Sequence, residues 1–223
     1  ADRQDPRCNM VSTLGNHEFD QDLPELMRQI HGGNAPQGPF LQDPWPGAAF
    51  PYVCANVRDK TTGKPLFPPY VIKKIGDIPV AFIGAVVRDT PSATMPRNTA
   101  RLEFLDEAAS INSFVPEIQA KGVHAIVAII HQGGSQPGYD GPTDPARPTV
   151  REDIVPIVNN LDADVDIVLS GHTHKFTNAL VPNAGGRNVL VTQAYAKGTA
   201  FAAIDLTLDP ASGDIADTSA AII

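Results

Sequence analysis

The chain has 223 residues, enough to bury a substantial core as one domain. Its formal net charge is −8 and only 19% of its residues are charged, which excludes a basic face for nucleic acid or an anionic membrane surface. No apolar run approaches the roughly 20 residues of a membrane-spanning helix, and the opening Ala-Asp-Arg-Gln-Asp-Pro-Arg lacks the apolar segment of a signal peptide.

Met10 to Leu14 reads as a strand, and Leu14-Gly15-Asn16-His17-Glu18-Phe19-Asp20 stands at its end. An amide, an imidazole and a carboxylate thus occupy five residues, after a glycine that lets the backbone turn. Gln21 to Ile30 spaces Leu23, Leu26, Met27 and Ile30 as a helix, with Pro24 tolerated in the first turn. Residues 32–51 are rich in Gly and Pro and read as a surface loop carrying the single tryptophan, Trp45. Pro51 to Val57 reads as a strand, and Tyr70–Ile75 with Ile78–Ala85 as a hairpin turning at Gly76-Asp77.

Residues 88–101 read as irregular. Asp106 to Lys121 reads as a helix with Ala109, Phe114, Val115 and Ile118 facing inward and a bend or late start at Pro116. The apolar run Ala125 to Ile130 ends at His131, and Gln132 to Thr149 is too polar for core, a long loop of the kind that carries function. Arg151 to Leu161 reads as a helix. The strand Val165 to Ser170 then runs into Gly171-His172-Thr173-His174. Asn188–Gln193 and Ala200–Leu208 alternate as strands, with Asn183 to Gly186 as a turn. Strand–helix alternation followed by late strands indicates an α/β domain with a mixed sheet or two sheets.

Three strands therefore end in candidate ligands, and open α/β sheets bind ligands outside the carboxyl ends of their strands. His172 and His174, two residues apart in extended chain, can face one site. His131 and the Asn16 amide oxygen would add a ligand each. Such imidazole and oxygen donors without thiolate suit Zn²⁺, Mn²⁺, Fe or Co²⁺. Asp20 lies one helical turn beyond His17, in reach to fix its tautomer, which leaves His17 as an acid or charge stabiliser rather than a ligand. Each motif alone has a plain reading: Asn16 as a helix cap, His131 as a strand-end histidine, Gly-His-Thr-His as an ordinary loop. His31 and His124 have no partner in sequence and read as structural. Cys8 and Cys54 each sit in or beside an expected strand, as buried thiols or as a pair.

The run Leu14 to Asp20, the lone His131 and Gly171-His172-Thr173-His174 resemble blocks of the calcineurin-like metallophosphoesterase superfamily. Ala55-Asn56-Val57, Thr62 to Tyr70, Val80 to Gly84 and Val191-Thr192-Gln193-Ala194 are similar to its 5′-nucleotidase branch. The resemblance implies an αββα sandwich of mixed sheets and a dinuclear metal site. In that site Asn16, His131 and His172 share one divalent ion (Zn, Mn, Co or Fe) and His174 serves the other. It further implies hydrolysis of phosphate monoesters, above all nucleoside 5′-phosphates, by a metal-activated hydroxide, with His17 stabilising developing charge and Asp20 orienting it. An exported, periplasmic or extracellular location goes with it. The family's Asp-x-His and Gly-Asp blocks and its C-terminal domain have no counterpart here. The expectation is thus a catalytic domain over 1–223 truncated at its N-terminal strands, holding at most one metal well and hydrolysing poorly alone. Cyclic-nucleotide phosphodiesterase and thiosulfate-cleaving relatives share much of the pattern, and a non-catalytic metal-binding or interaction domain is the alternative of another class.

Overall fold

The computed structural model describes residues 10–147 and 149–223. The first segment holds β1 (Ser12–Thr13), a 3-10 turn (Asn16–Phe19), α1 (Leu23–His31), β2 (Tyr52–Val53) and β3 (Val57–Asp59). β4 (Tyr70–Ile75), β5 (Ile78–Val86), α2 (Thr90–Ala93), α3 (Pro96–Thr99), β6 (Leu102–Phe104), α4 (Glu107–Asn112) and α5 (Val115–Gln119) follow. The remainder is β7 (Ala125–His131), α6 (Ile154–Asn159), β8 (Ile167–Ser170), β9 (Phe176–Pro182), β10 (Asn188–Ala194), β11 (Ala202–Leu208) and β12 (Ile215–Ile222).

A six-stranded mixed sheet runs in the order β4-β5-β7-β8-β10-β9. Its four inner strands are parallel, while the outer strands β4 and β9 are antiparallel to their neighbours. Strand alternation divides the core between its two faces. On one, Ile83, Ile126 and Ile130 pack against Ile111, Val115, Ile118, Ile154 and Val158 of the helices. On the other, Val80, Val127, Ile167 and Leu190 pack against Ile215 and Ala220 of the β11–β12 hairpin. This is the expected mixed α/β sandwich.

A third cluster positions the opening motif. Leu14, Phe19, Leu26, Val57, Val86 and Leu102 are buried together at the end of β5, with Phe19 edge-on to Phe104 at 5.1 Å. β1 pairs in parallel with β2, and this pair crosses β5 at Gly84, where any Cβ would lie 2.1 Å from the Val53 carbonyl oxygen. Only glycine admits that approach. α1 starts where Asp22 accepts a hydrogen bond from the Glu25 amide at 3.0 Å, with Pro24 in its first turn.

Several elements differ from the sequence reading. The expected strand 51–57 breaks between β2 and β3, because buried Asn56 bonds to Val86 and Leu105 backbone instead of continuing a ladder. The helix expected over 106–121 divides at Ser113-Phe114, and Pro116 sits in the first turn of its second half. Ala108 and Ile111 face inward there, while Ala109 is exposed. α6 begins only at Ile154, since Arg151 bridges Ser135 and Glu152 takes a φ of 76°. The loop after His131 is buried at Gln132 and Gln136; the Gln136 side chain accepts from the Asn178 amide, so its polarity is satisfied internally.

Cys54 is fully buried, and burial pushes its thiol up to about 12. Cys8, its candidate partner, lies outside the described residues. No helix among the described residues is long and apolar enough to cross a membrane.

Candidate active site

The parallel strands β7 and β8 run side by side, so their carboxyl ends deliver His131 and the 171–174 loop to one edge of the sheet. The 3-10 turn after β1 reaches the same place. Gly15 permits this: a Cβ there would meet His131 Cε1 at 2.9 Å. Asn16 is 4% exposed, and its Oδ1 lies 2.9 Å from His131 Nε2 and 3.1 Å from His172 Nδ1. The two imidazoles meet edge to face at 5.2 Å between centroids. One amide oxygen is thus shared by two rings that arrive from positions 115 and 156 residues away.

Burial holds the His131 imidazole well below its usual range, at about 4, with His172, His17 and His174 adding like-charge repulsion. His172 is lowered by burial and by the same neighbours, His174 before His17. Both rings are accordingly neutral near pH 7, the state in which imidazole offers a lone pair to a cation. His172 and His174 adopt left-handed backbone, φ 73° and 55°. Strain of that kind costs of order 1–3 kcal/mol per residue and persists where surroundings enforce it.

His17 and Asp20 form a second, local unit. His17 Nδ1 is 2.7 Å from Asp20 Oδ2, while the imidazole and the carboxylate are 74% and 49% exposed. Asn16 does not cap α1, a role that Asp22 takes. His31 stacks near Phe67 at 6.4 Å, and His124 is exposed, away from the cluster.

The donor set bears on metal binding. Two imidazole nitrogens, each about 3 Å from one amide oxygen, match the separation of donors that each sit about 2.0–2.2 Å from a common ion. They fit one divalent ion of borderline to hard character. Among the described residues no three His, Cys, Asp or Glu side chains converge on a point. For a second ion the expected set contributes His174 alone.

Three positions support this site without having been singled out from sequence. Glu18 accepts from the Gly15 amide at 2.6 Å and fixes the turn into Asn16. Asn98, buried, donates to the Phe19 and Asp20 carbonyls at 3.1 and 2.8 Å. Gln193 donates to Thr173 Oγ1 and to the Lys175 carbonyl, clamping the loop that carries both histidines. Only Glu18, three residues from the amide it accepts, leaves a local spacing signal.

The family model described as calcineurin-like phosphoesterase matches residues 2–176. The chain is 34% identical over 213 residues to the Endonuclease YhcR of Bacillus subtilis, covering 96% of this chain and 16% of that protein. It is 35% identical to the Cell wall protein Lmo0130 of Listeria monocytogenes, over 92% of this chain and 26% of the relative. The 5′-nucleotidase of Vibrio cholerae is 31% identical over 78% of this chain and 28% of its own length. Among solved structures, a 5′-nucleotidase precursor from Thermus thermophilus superposes with a TM-score of 0.68 at 26% identity, over 96% of this chain and 38% of its own. The chain therefore spans between a sixth and two fifths of these relatives' lengths. It belongs to the calcineurin-like phosphoesterase family.

Proposed function

We propose that this chain is the catalytic domain of a metal-dependent phosphomonoesterase whose preferred substrates are nucleoside 5′-phosphates. The observation that carries the reading is the buried Asn16 amide oxygen shared between half-buried, neutral His131 and His172. A family of phosphoesterases with 5′-nucleotidases among its relatives supports it. Asn16, His131 and His172 would hold one divalent ion, and His174 would contribute to a second. Bound there, such ions supply charge neutralisation at a phosphoryl group and lower the pKa of a water.

The remaining steps belong to the chain's own side chains. Burial keeps His131 and His172 deprotonated, so ligand binding requires no proton release from them. His17 is itself exposed on the 3-10 turn, oriented through Nδ1 by Asp20, which leaves Nε2 to face a phosphoryl or leaving-group oxygen. A group so placed stabilises charge as it develops without being spent as a ligand. An exported location, periplasmic or extracellular, is part of the proposal; a relative named as a cell wall protein supports it.

Phosphodiester cleavage is the second reading, favoured by the similarity to proteins named as an endonuclease and a cyclic-nucleotide phosphodiesterase. The net charge of −8 weighs against a polynucleotide substrate. The test is phosphate release from adenosine 5′-monophosphate beside cleavage of 2′,3′-cyclic AMP and of thiosulfate esters, with and without chelator. The proposal expects chelator-sensitive release from the monoester, and a loss of about 100-fold or more in His17→Ala with metal content unchanged. Faster cleavage of the cyclic diester, or full activity in His17→Ala, would overturn the assignment.

A further inference from the structure

The backbone that presents His172 is strained, and its anchors lie outside the ligand set. The Thr173 amide donates to the Gly171 carbonyl two residues back at 2.9 Å, and His172 between them has a φ of 73°. Together they make a γ-turn of the rare positive-φ kind, which is strained. His174 is left-handed as well, at 55°. Such a turn persists only where its surroundings hold it.

Thr173, between the two histidines, is the anchor. Its hydroxyl donates to the Gly134 carbonyl at 2.9 Å and accepts from Gln193 Nε2 at 2.8 Å. The same Nε2 donates to the Lys175 carbonyl at 2.9 Å, so one amide group grips the loop on both sides of His174. Gly133 fits closely against it: a Cβ there would lie 2.0 Å from the Gly171 carbonyl oxygen and 2.1 Å from Gln193 Oε1. Gly133 and Gly134 follow His131 closely in sequence, so the relay ties the loop after one ligand to the loop that carries the other. Gln193 is 2% exposed, and its Oε1 is buried without a hydrogen-bond partner among the described residues. A leucine would fill the place without that cost, so packing alone does not account for a glutamine here.

We propose that Gln193 and Thr173 are positioning residues that act as one unit and hold the His172 turn so that its imidazole meets Asn16 and His131 before any ion arrives, a role that rests on the metal binding proposed above. A loop ordered in advance loses no further freedom when an ion binds. Outer groups that orient a ligand typically change metal affinity by roughly 10–100-fold.

The test measures zinc affinity by chelator competition, with thermal melting to check the fold. Thr173→Val, which keeps the shape and removes the hydroxyl, and Gln193→Leu should each bind zinc about tenfold more weakly. Thr173→Ser should bind it as the unsubstituted chain does. The double variant should lose no more than Thr173→Val alone, because the two side chains form one relay. With Co²⁺ in place of zinc, the visible absorption should change in the Val and Leu variants and not in the Ser variant, a response that lower overall stability does not produce. Unchanged affinity in either Thr173→Val or Gln193→Leu, an equal loss in Thr173→Ser, or losses that multiply in the double variant would overturn the relay. If the unsubstituted chain binds no zinc, the relay and the proposed function fall together. If it binds zinc with these responses yet releases no phosphate from monoesters, only the function falls.

Discussion

The two ends of the central sheet both withdraw ionisable groups from solvent, fully at one end and partly at the other, and they do so in opposite ways. At the amino end, Asp166 precedes β8 with a carboxylate that is 1% exposed. Its Oδ2 accepts from the Ile126 amide at 2.8 Å, and its Oδ1 lies 2.5 Å from Arg187 Nη2, a charge contact outside hydrogen-bond alignment. Every interaction there points back into the fold and locks β7, β8 and β10 in register. At the carboxyl end, His131, His172 and Asn16 point at one another. Two imidazoles on a single amide oxygen are a poor way to satisfy three polar groups, and a good way to surround a cation. Burial alone does not mark function. Polar groups that converge without a structural partner do.

The contrast can be broken at either end. The largest effect is expected at the carboxyl end: His131→Ala should lower divalent-metal affinity by about 100-fold or more, above the 10–100-fold typical of supporting residues. Its fold should persist by circular dichroism. Next, Arg187→Ala should leave Asp166 without its cation and cost about 2 kcal/mol in urea denaturation at pH 8. That figure lies below the 3–5 kcal/mol of a fully buried pair because Arg187 is 37% exposed. It should shrink at pH 5, where the carboxyl is already protonated.

The smallest effect concerns pH. Burial pushes Asp166 up to about 7 from its ordinary 3.8, against the opposing Ile126 hydrogen bond and Arg187 charge. Between those values the folded chain holds a proton that the unfolded chain has lost. Stability therefore falls as pH rises from about 4 to about 7. Asp166→Asn should flatten that slope, and an unchanged slope would remove Asp166 as its source.

The carboxyl-end group was legible in sequence because each of its side chains stands at or just after the end of a strand: β1 before Asn16, β7 into His131, β8 before His172. The β4–β5 hairpin was legible through its alternating apolar runs around Gly76-Asp77. β9 was not. Its Thr177 and Asn178 are buried, and Asn178 bonds to Gln136, Gly141 and Ala220, so long-range polar contacts replace the alternation that announces a strand. β6 and β12 were missed likewise: one is three residues long, and the other, Ile-Ala-Asp-Thr-Ser-Ala-Ala-Ile, is interrupted by three consecutive polar residues. The Gln193–Thr173–Gly134 relay joins separate segments, which only the fold brings together. Local patterns reveal where a strand stops. They do not reveal what packs beside it.

The most direct test is the metal content of the purified chain, measured by elemental mass spectrometry after dialysis against dilute zinc or manganese and then against metal-free buffer. The account predicts about one divalent ion per chain in the unsubstituted protein, and a fall to well below one in both Asn16→Ala and His131→Ala. Retention of no ion by the unsubstituted chain, or equal retention by the two variants, would contradict it.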